Sequence, residues 1–305
     1  QFADGSYTGT APVTRFIKDL QDITLREETP ALFKQPEYQW DGHTYSFDFI
    51  THDSMGLMSF LMPGMYINRD TKLSLNIDRE GHMKATLDSK RIAIGNNYIK
   101  DVTALFDNLG DTFSGEVLSD EAELAGMILN NNSLRFLADD NHVGASYSYD
   151  NRSDLENRGE VVINAALSRE NERLDVLFDI LPSTLYLNSK EWRIQPASIT
   201  LKGKDINVDS FELISGDERI YAYGRTSMTQ KDTLTLSLDR FDISVLNPLL
   251  GSDFGIGGAA TGNVKLTSPM HSKGLLADML CDSTFIAGEP LGTLTIGSAW
   301  NDDFE

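Results

Sequence analysis

Apolar and polar residues alternate one for one along most of this chain. Tyr45, Phe47 and Phe49 alternate with polar neighbours, as do Leu73, Leu75 and Ile77, then Met83, Ala85 and Leu87, then Ile92 and Ile94. The same period returns at Val143, Ala145, Tyr147 and Tyr149, and at Leu174, Val176, Phe178 and Ile180. Its clearest block comprises Ile199 and Leu201, Ile206 and Val208, Leu234, Leu236 and Leu238, and Phe241, Ile243 and Val245. Val264 with Leu266 and Leu294 with Ile296 carry it onward. A period of two gives each strand one oily and one wet face, the pattern of antiparallel sheet rather than of parallel strands buried on both sides.

Turn-forming residues separate the runs at Asp78 to Gly81, Gly95-Asn96-Asn97, Asn188-Ser189-Lys190, Lys202 to Asp205 and Ser215-Gly216-Asp217. Arg91 to Val102 and Ser198 to Val208 share a strand–turn–strand pattern, a weak internal echo. Helix is scarce. Pro12 to Leu20 suits a short amphipathic helix through Phe16, Ile17 and Leu20. Asp53 to Leu61 suits another, capped by Asp53 or Ser54 and stopped by Pro63, and Leu246 to Leu250 suits a single turn. The fold expected is all-β, an elongated, twisted, mainly antiparallel sheet, either rolled into an apolar trough or arranged as serial open sandwiches, with two short helices. Its parts are a lead-in over 1–40, a first β segment over 41–190 and a second over 191–305 that continues the same sheet.

Composition narrows the function. With 40% hydrophobic and 24% charged residues the chain is globular rather than disordered. A formal charge of −20 opposes binding to nucleic acid, and it opposes flat adhesion to an anionic membrane. Cys281 is the single cysteine, which leaves no internal disulfide and no cysteine metal site. The longest apolar stretch, Met55 to Ile67, is broken by Pro63 and Gly64 and is too short to span a bilayer. The strand pattern still runs at Trp300, so the sequence reads as an internal fragment whose membrane anchor lies outside it.

A catalytic reading finds little purchase. There is no Gly-x-Ser-x-Gly elbow, and His43, His52, His82, His142 and His271 form no ligand-spaced pair. Gly255 to Gly262 is rich in glycine but lacks the Lys-Ser/Thr ending of a phosphate loop, so its glycines are expected to serve strand turns. Asp120, Glu121 and Glu123, and Asp139 with Asp140, are acidic groupings expected to be solvated faces. Neither an enzyme nor a cofactor is expected.

The stretch from Arg240 to Trp300 is more specific. Phe241 to Val245 form an aspartate-containing strand, followed by Leu249-Leu250 and a glycine-led strand from Gly258 to Leu266. Pro269, Leu275 to Met279, and Pro290-Leu291-Gly292 leading to Ile296 and Trp300 complete the series. This order resembles the recurring pattern of the TamB/AsmA-like family, the inner-membrane subunits of translocation and assembly modules. Trp192 to Leu238 fits the same style, and the resemblance extends diffusely from about Tyr45.

The resemblance implies a periplasmic segment of an inner-membrane-anchored protein of a Gram-negative-type envelope. Its sheet would form an apolar groove for phospholipid acyl chains, and its partner would be an outer-membrane β-barrel assembly protein of the TamA/BamA kind. Phospholipid passage and barrel-protein assembly are not separable at this stage. The groove lining would comprise Ile199, Leu201, Ile206, Val208, Leu234, Leu236, Leu238, Val264, Leu266, Leu294 and Ile296. For each of these residues the alternative is packing against a facing sheet in a sandwich. A different class of function, a secreted or surface β-sandwich that binds carbohydrate or protein, also fits the alternation.

Overall fold

The computed structural model describes residues 3–34, 37, 39–52, 64–95, 97–110, 112–124, 127–227, 232–247, 255–267 and 274–300. The expected helix over Asp53 to Leu61 lies outside these residues, as do Leu249, Leu250, Pro269 and His271. The chain is all-β, and every strand pair whose register is defined is antiparallel. It divides into two compact units, one of Gln1–Ser153 with Asn157–Glu172, the other of Asp154–Glu156 with Arg173–Glu305.

The first unit contains β1 (Ala3–Gly9), β2 (Tyr45–Thr51), β3 (Met65–Ile67), β4 (Lys72–Ile77) and β5 (Met83–Ile94). It continues with β6 (Asn97–Asp107), β7 (Phe113–Leu124), β8 (Met127–Asp139), β9 (His142–Asp150) and β10 (Arg158–Glu170). Strand order is β1–β2–β4–β5–β6–β7–β8–β9–β10, a meander in which the far half of β5 also pairs with β3.

A helical segment lies across one end of this sheet. It begins as a 3-10 turn (Val13–Arg15), continues as α1 (Phe16–Gln21) and passes into a π turn (Asp22–Arg26), so it runs beyond the Pro12 to Leu20 expected. Ile23 is buried with Tyr45, Ile77 and Met83, and Phe16 and Leu20 pack beside them. Hydrogen bonds tie the segment to successive strand ends. Asn108 Nδ2 donates to the Ile23 and Gly81 carbonyls at 2.9 and 3.0 Å. Asn141 N donates to the Glu28 carbonyl at 2.7 Å, and Asn141 Oδ1 accepts from Ala31 N at 2.7 Å. Arg169 at the end of β10 donates to the Ala31 and Leu32 carbonyls at 2.8 and 3.1 Å. The segment thereby satisfies buried backbone groups at the strand ends and covers that end of the apolar face.

The second unit contains β11 (Arg173–Ile180), β12 (Ser183–Leu187), β13 (Lys190–Ile194), β14 (Ala197–Lys202) and β15 (Asp205–Ser215). It continues with β16 (Glu218–Thr226), β17 (Thr233–Asp242), β18 (Ile256–Thr267), β19 (Gly274–Ile286) and β20 (Glu289–Trp300). Its order is β11–β14–β15–β16–β17–β18–β19–β20, and the β12–β13 hairpin joins through β13 to the far half of β15. A 3-10 turn (Ile243–Leu246) follows β17, earlier than the Leu246 to Leu250 expected. Asp242 caps it, accepting from Ser244 N at 2.9 Å.

The expected turn clusters at 78–81, 95–97, 188–190, 202–205 and 215–217 each join two neighbouring strands. At β12–β13, Asn188 and Ser189 both take positive φ, 52° and 62°, as a two-residue turn between twisted strands requires. Among the described residues no helix is long and apolar enough to cross a membrane.

Candidate functional site

Residues directly opposite in an antiparallel pair point to the same side of the sheet. The strand registers therefore show which side chains share a face. In the second unit Ile199 opposes Val208 and Leu201 opposes Ile206. Val208 opposes Gly224, which opposes Leu234. Leu234, Leu236 and Leu238 oppose Leu266, Val264 and Gly262. Gly262 and Ala260 then oppose Met279 and Cys281, which face Ile296 and Leu294. All eleven residues predicted from the sequence thus fall on one face of one sheet.

Only Val208 of the eleven is buried. The others are half-buried or exposed, with Leu236, Leu266 and Ile296 at 36, 38 and 40%. Interior side chains of a closed sandwich would be far less accessible. The face is best covered at one end, where Trp192, Phe241, Ala260 and Cys281 are buried and the Trp192 and Phe241 rings lie 6.4 Å apart.

Sequence reasoning missed part of this face because the strands are bulged. The register shifts between Val208 and Phe211, so the inward set passes from Ile206 and Val208 to Phe211 and Leu213, which oppose Ala222 and Ile220. A second shift between Leu238 and Phe241 brings Phe241 onto the face opposite Ala260, with Arg240 at φ 49°. Each extra residue reverses the parity that a period-two reading follows. The glycines of Gly255 to Gly262 lie mostly within β18. A Cβ on Gly257 would overlap the Phe285 ring, and Gly262 at φ 151° lies against the backbone of β19.

The first unit carries an equivalent face that was not among the predicted site residues. Phe49, Leu73, Leu87, Ala104, Val117, Leu134, Tyr147 and Val161 oppose one another in succession, one residue on each strand from β2 through β10, β3 excepted. Phe47, Leu75, Ala85, Phe106, Gly115, Phe136, Ala145 and Ile163 form a parallel row beside it. Phe49, Leu73 and Leu134 are exposed at 38, 41 and 41%. An open depression of about 480 Å³ is lined by Phe49, Leu73, Leu87 and Ala104 with their strand neighbours.

A polar line marks where the first row ends. Thr71 Oγ1 and Ser89 Oγ are 2.7 Å apart, Asn132 Nδ2 donates to Ser119 Oγ at 3.2 Å, and Tyr147 OH donates to Asn132 Oδ1 at 2.7 Å. Beyond this line the buried residues change parity, from Ser119 to Ala122 and from Asn132 to Leu129. The left-handed residues Asp101 and Asn131 sit at the switch, both at φ 49°.

At the helix-covered end Asp19 is buried at 3% exposure. Its Oδ2 accepts from Tyr45 OH at 2.5 Å and lies 2.9 Å from His43 Nδ1. Burial, and then the hydrogen bond to Asp19, pushes the Tyr45 phenol well above its ordinary pKa.

Polar chemistry elsewhere is local. Asp78, Glu80 and His82, in the turn before β5, place their ligand atoms within 4.8 Å of one another. Asp78 already accepts from His82 N at 2.9 Å and lies 3.1 Å from His82 Nδ1. Burial pushes its carboxyl up, but the His82 hydrogen bonds outweigh this and leave it below its ordinary value. Glu121 lies 2.5 Å from Lys100 Nζ and accepts from Tyr98 OH at 2.6 Å, and these two partners lower its pKa. Asp139 ends β8, opposite His142, and Asp140 lies in the β8–β9 turn.

Comparison with protein-family models, with curated proteins and with solved structures finds no match to this chain.

Proposed function

We propose that the chain carries phospholipid acyl chains along its open apolar faces, as a periplasmic segment of an inner-membrane-anchored protein that serves outer-membrane biogenesis. The observation that carries this reading is the uninterrupted row Phe49–Leu73–Leu87–Ala104–Val117–Leu134–Tyr147–Val161, together with the incomplete burial of the Ile199 to Ile296 set. The resemblance of Arg240 to Trp300 to the TamB/AsmA-like pattern supplies the cellular setting and the outer-membrane barrel partner.

Burial of apolar surface contributes roughly 25 cal/mol per Å², so a lipid laying on the order of 300 Å² against such a face gains about 7 kcal/mol. A row whose successive positions are chemically alike binds a chain similarly at each of them. Sliding along the row then crosses only low barriers, while the headgroup stays in water.

The test is mass spectrometry of lipid extracted from the protein after gentle purification from a membrane-containing bacterial lysate. Phospholipid near stoichiometric amounts is expected, and Leu73→Asp and Leu236→Asp are each expected to reduce it severalfold. A folded protein free of lipid, or one whose lipid load ignores both substitutions, would overturn the proposal.

A further inference from the structure

We infer that the polar face of the second unit binds a neutral saccharide, stacked on the Tyr223 ring and hydrogen-bonded in the cavity that begins at Arg225. This face lies on the side of the sheet away from Leu201, Ile206 and Leu234, so the inference is independent of the lipid reading. Gly224 occupies the apolar face, opposite Val208 and Leu234, which places Tyr223 and Arg225 on the other side. The registers carry that side across the sheet. Arg225 opposes Asn207, Asn207 opposes Thr200, and Tyr223 opposes Thr235.

A ring on the wet face of a strand departs from the period-two pattern, and β16 carries two. Tyr221 and Tyr223 stack with centroids 5.1 Å apart and planes inclined by 28°. The Arg219 guanidinium lies 4.5 Å from the Tyr221 centroid, so Tyr221 is engaged both by the arginine and by Tyr223. Arg225, the corresponding cation after Tyr223, turns instead to Asp205 and Asp232, at 3.5 and 3.4 Å. Tyr223 also lacks a direct partner on β15, because the register shifts between Val208 and Phe211. Its ring is left 40% exposed.

Beside it, an open cavity of about 350 Å³ is lined by Thr200, Lys202, Asp205, Ile206, Asn207 and Arg225, near the lower end of the size range of small-molecule sites. Thr200 Oγ1, Lys202 Nζ and Asn207 Oδ1 make no hydrogen bond among the described residues, while Asn207 Nδ2 donates to Asp209 at 2.6 Å. Thr235, opposite Tyr223, is 5% exposed, and its hydroxyl also has no partner among them. Hydroxyl, amide and ammonium groups around an exposed ring suit a ligand with an apolar C–H face and a rim of hydroxyls, the chemistry of a pyranose sugar. Charge selects a neutral one. Arg219 is bound to Glu212 and Arg225 lies between two aspartates, so neither is left to draw an anion, and a chain of net charge −20 repels polyanions.

The test is electrophoresis of the 305-residue chain in native gels containing dextran, hydroxyethyl cellulose or galactomannan, with anionic alginate as the comparison. At least one of the neutral polymers is expected to retard the wild type. Tyr223→Ala is expected to weaken that retardation about tenfold, and Asn207→Ala, which alters the cavity and not the ring, to weaken it severalfold. Tyr223→Phe is expected to keep most of it, which separates loss of stacking from loss of fold. A wild type unretarded by every neutral polymer overturns the inference. So does retardation by alginate alone, or retardation that Tyr223→Ala and Asn207→Ala both leave unchanged.

Discussion

Asp19 shows how much one buried side chain holds at the covered end of the first sheet. Its carboxylate accepts from Tyr45 OH at 2.5 Å and lies 2.9 Å from His43 Nδ1, beneath α1 and beside the Ile23–Tyr45–Ile77 cluster. Removing it strands the buried Tyr45 hydroxyl, and an unsatisfied buried donor costs about 1–3 kcal/mol. Asp19→Ala is therefore expected to lower unfolding stability by about that amount. Tyr45→Phe removes the stranded group, so the double variant is expected to lose less than the two single losses combined. Urea unfolding of the four proteins measures the coupling, and strictly additive losses would mean that the hydrogen bond carries none of the stability.

At the scale of elements, the bulges decide which face each strand presents. Leu234, Leu236 and Leu238 alternate regularly, and Phe241, three positions after Leu238, joins them only because the bulge absorbs the extra residue. Deleting Arg240 removes the extra residue and leaves Phe241 two positions after Leu238, so regular alternation keeps its ring, now 6% exposed, on the face beside Trp192. Loss of a buried phenylalanine costs about 3–5 kcal/mol, as Phe241→Ala is expected to show, and the deletion is expected to cost less than that. Arg240→Gly keeps the bulge and relieves the positive φ, so it is expected to be neutral or stabilising by up to about 1 kcal/mol. Unfolding of the three variants checks this, and a deletion as costly as Phe241→Ala would show that Phe241 does not return to the face by alternation alone.

The same elements explain what the sequence made legible. Period-two runs and turn chemistry predicted most strands and all five turn clusters, because both signals are local. Bulges are not local signals. They hid Phe211 and Leu213, whose partners in β16 confirm the shared face only through the register. The helical segment outran its expected end because buried Asp19, Asp22 and Thr24 read as solvent-facing residues in a hydrophobicity pattern. Asp22 accepts from Arg26 Nε at 2.7 Å, and Thr24 Oγ1 donates to the Leu20 carbonyl at 2.7 Å, partners that the pattern cannot display.

For the molecule as a whole, the dominant unbalanced force is its own charge. A net charge of −20 over 18196 Å² of accessible surface leaves one uncompensated charge per about 900 Å², a mean separation near 30 Å. That separation equals the screening length at roughly 0.01 M salt and is about three times the screening length at 0.1 M. Folding gathers these charges from an expanded chain, so their repulsion opposes the native state in dilute buffer and is mostly screened at physiological ionic strength. Opposing this, exposed ion pairs such as Lys90–Asp101 and Arg135–Glu116 lose attraction as salt is added. Such exposed pairs contribute little individually, about 0–1 kcal/mol, whereas the repulsion acts among all the excess acids at once. Sodium chloride raised from about 0.01 to about 0.15 M is therefore expected to increase the thermal unfolding midpoint by several degrees, with most of the gain below about 0.1 M. Calorimetry at a series of salt concentrations reads this directly. A midpoint that falls with salt would show that the ion pairs outweigh the net charge, and that the acidic surface is more closely compensated than its sum implies.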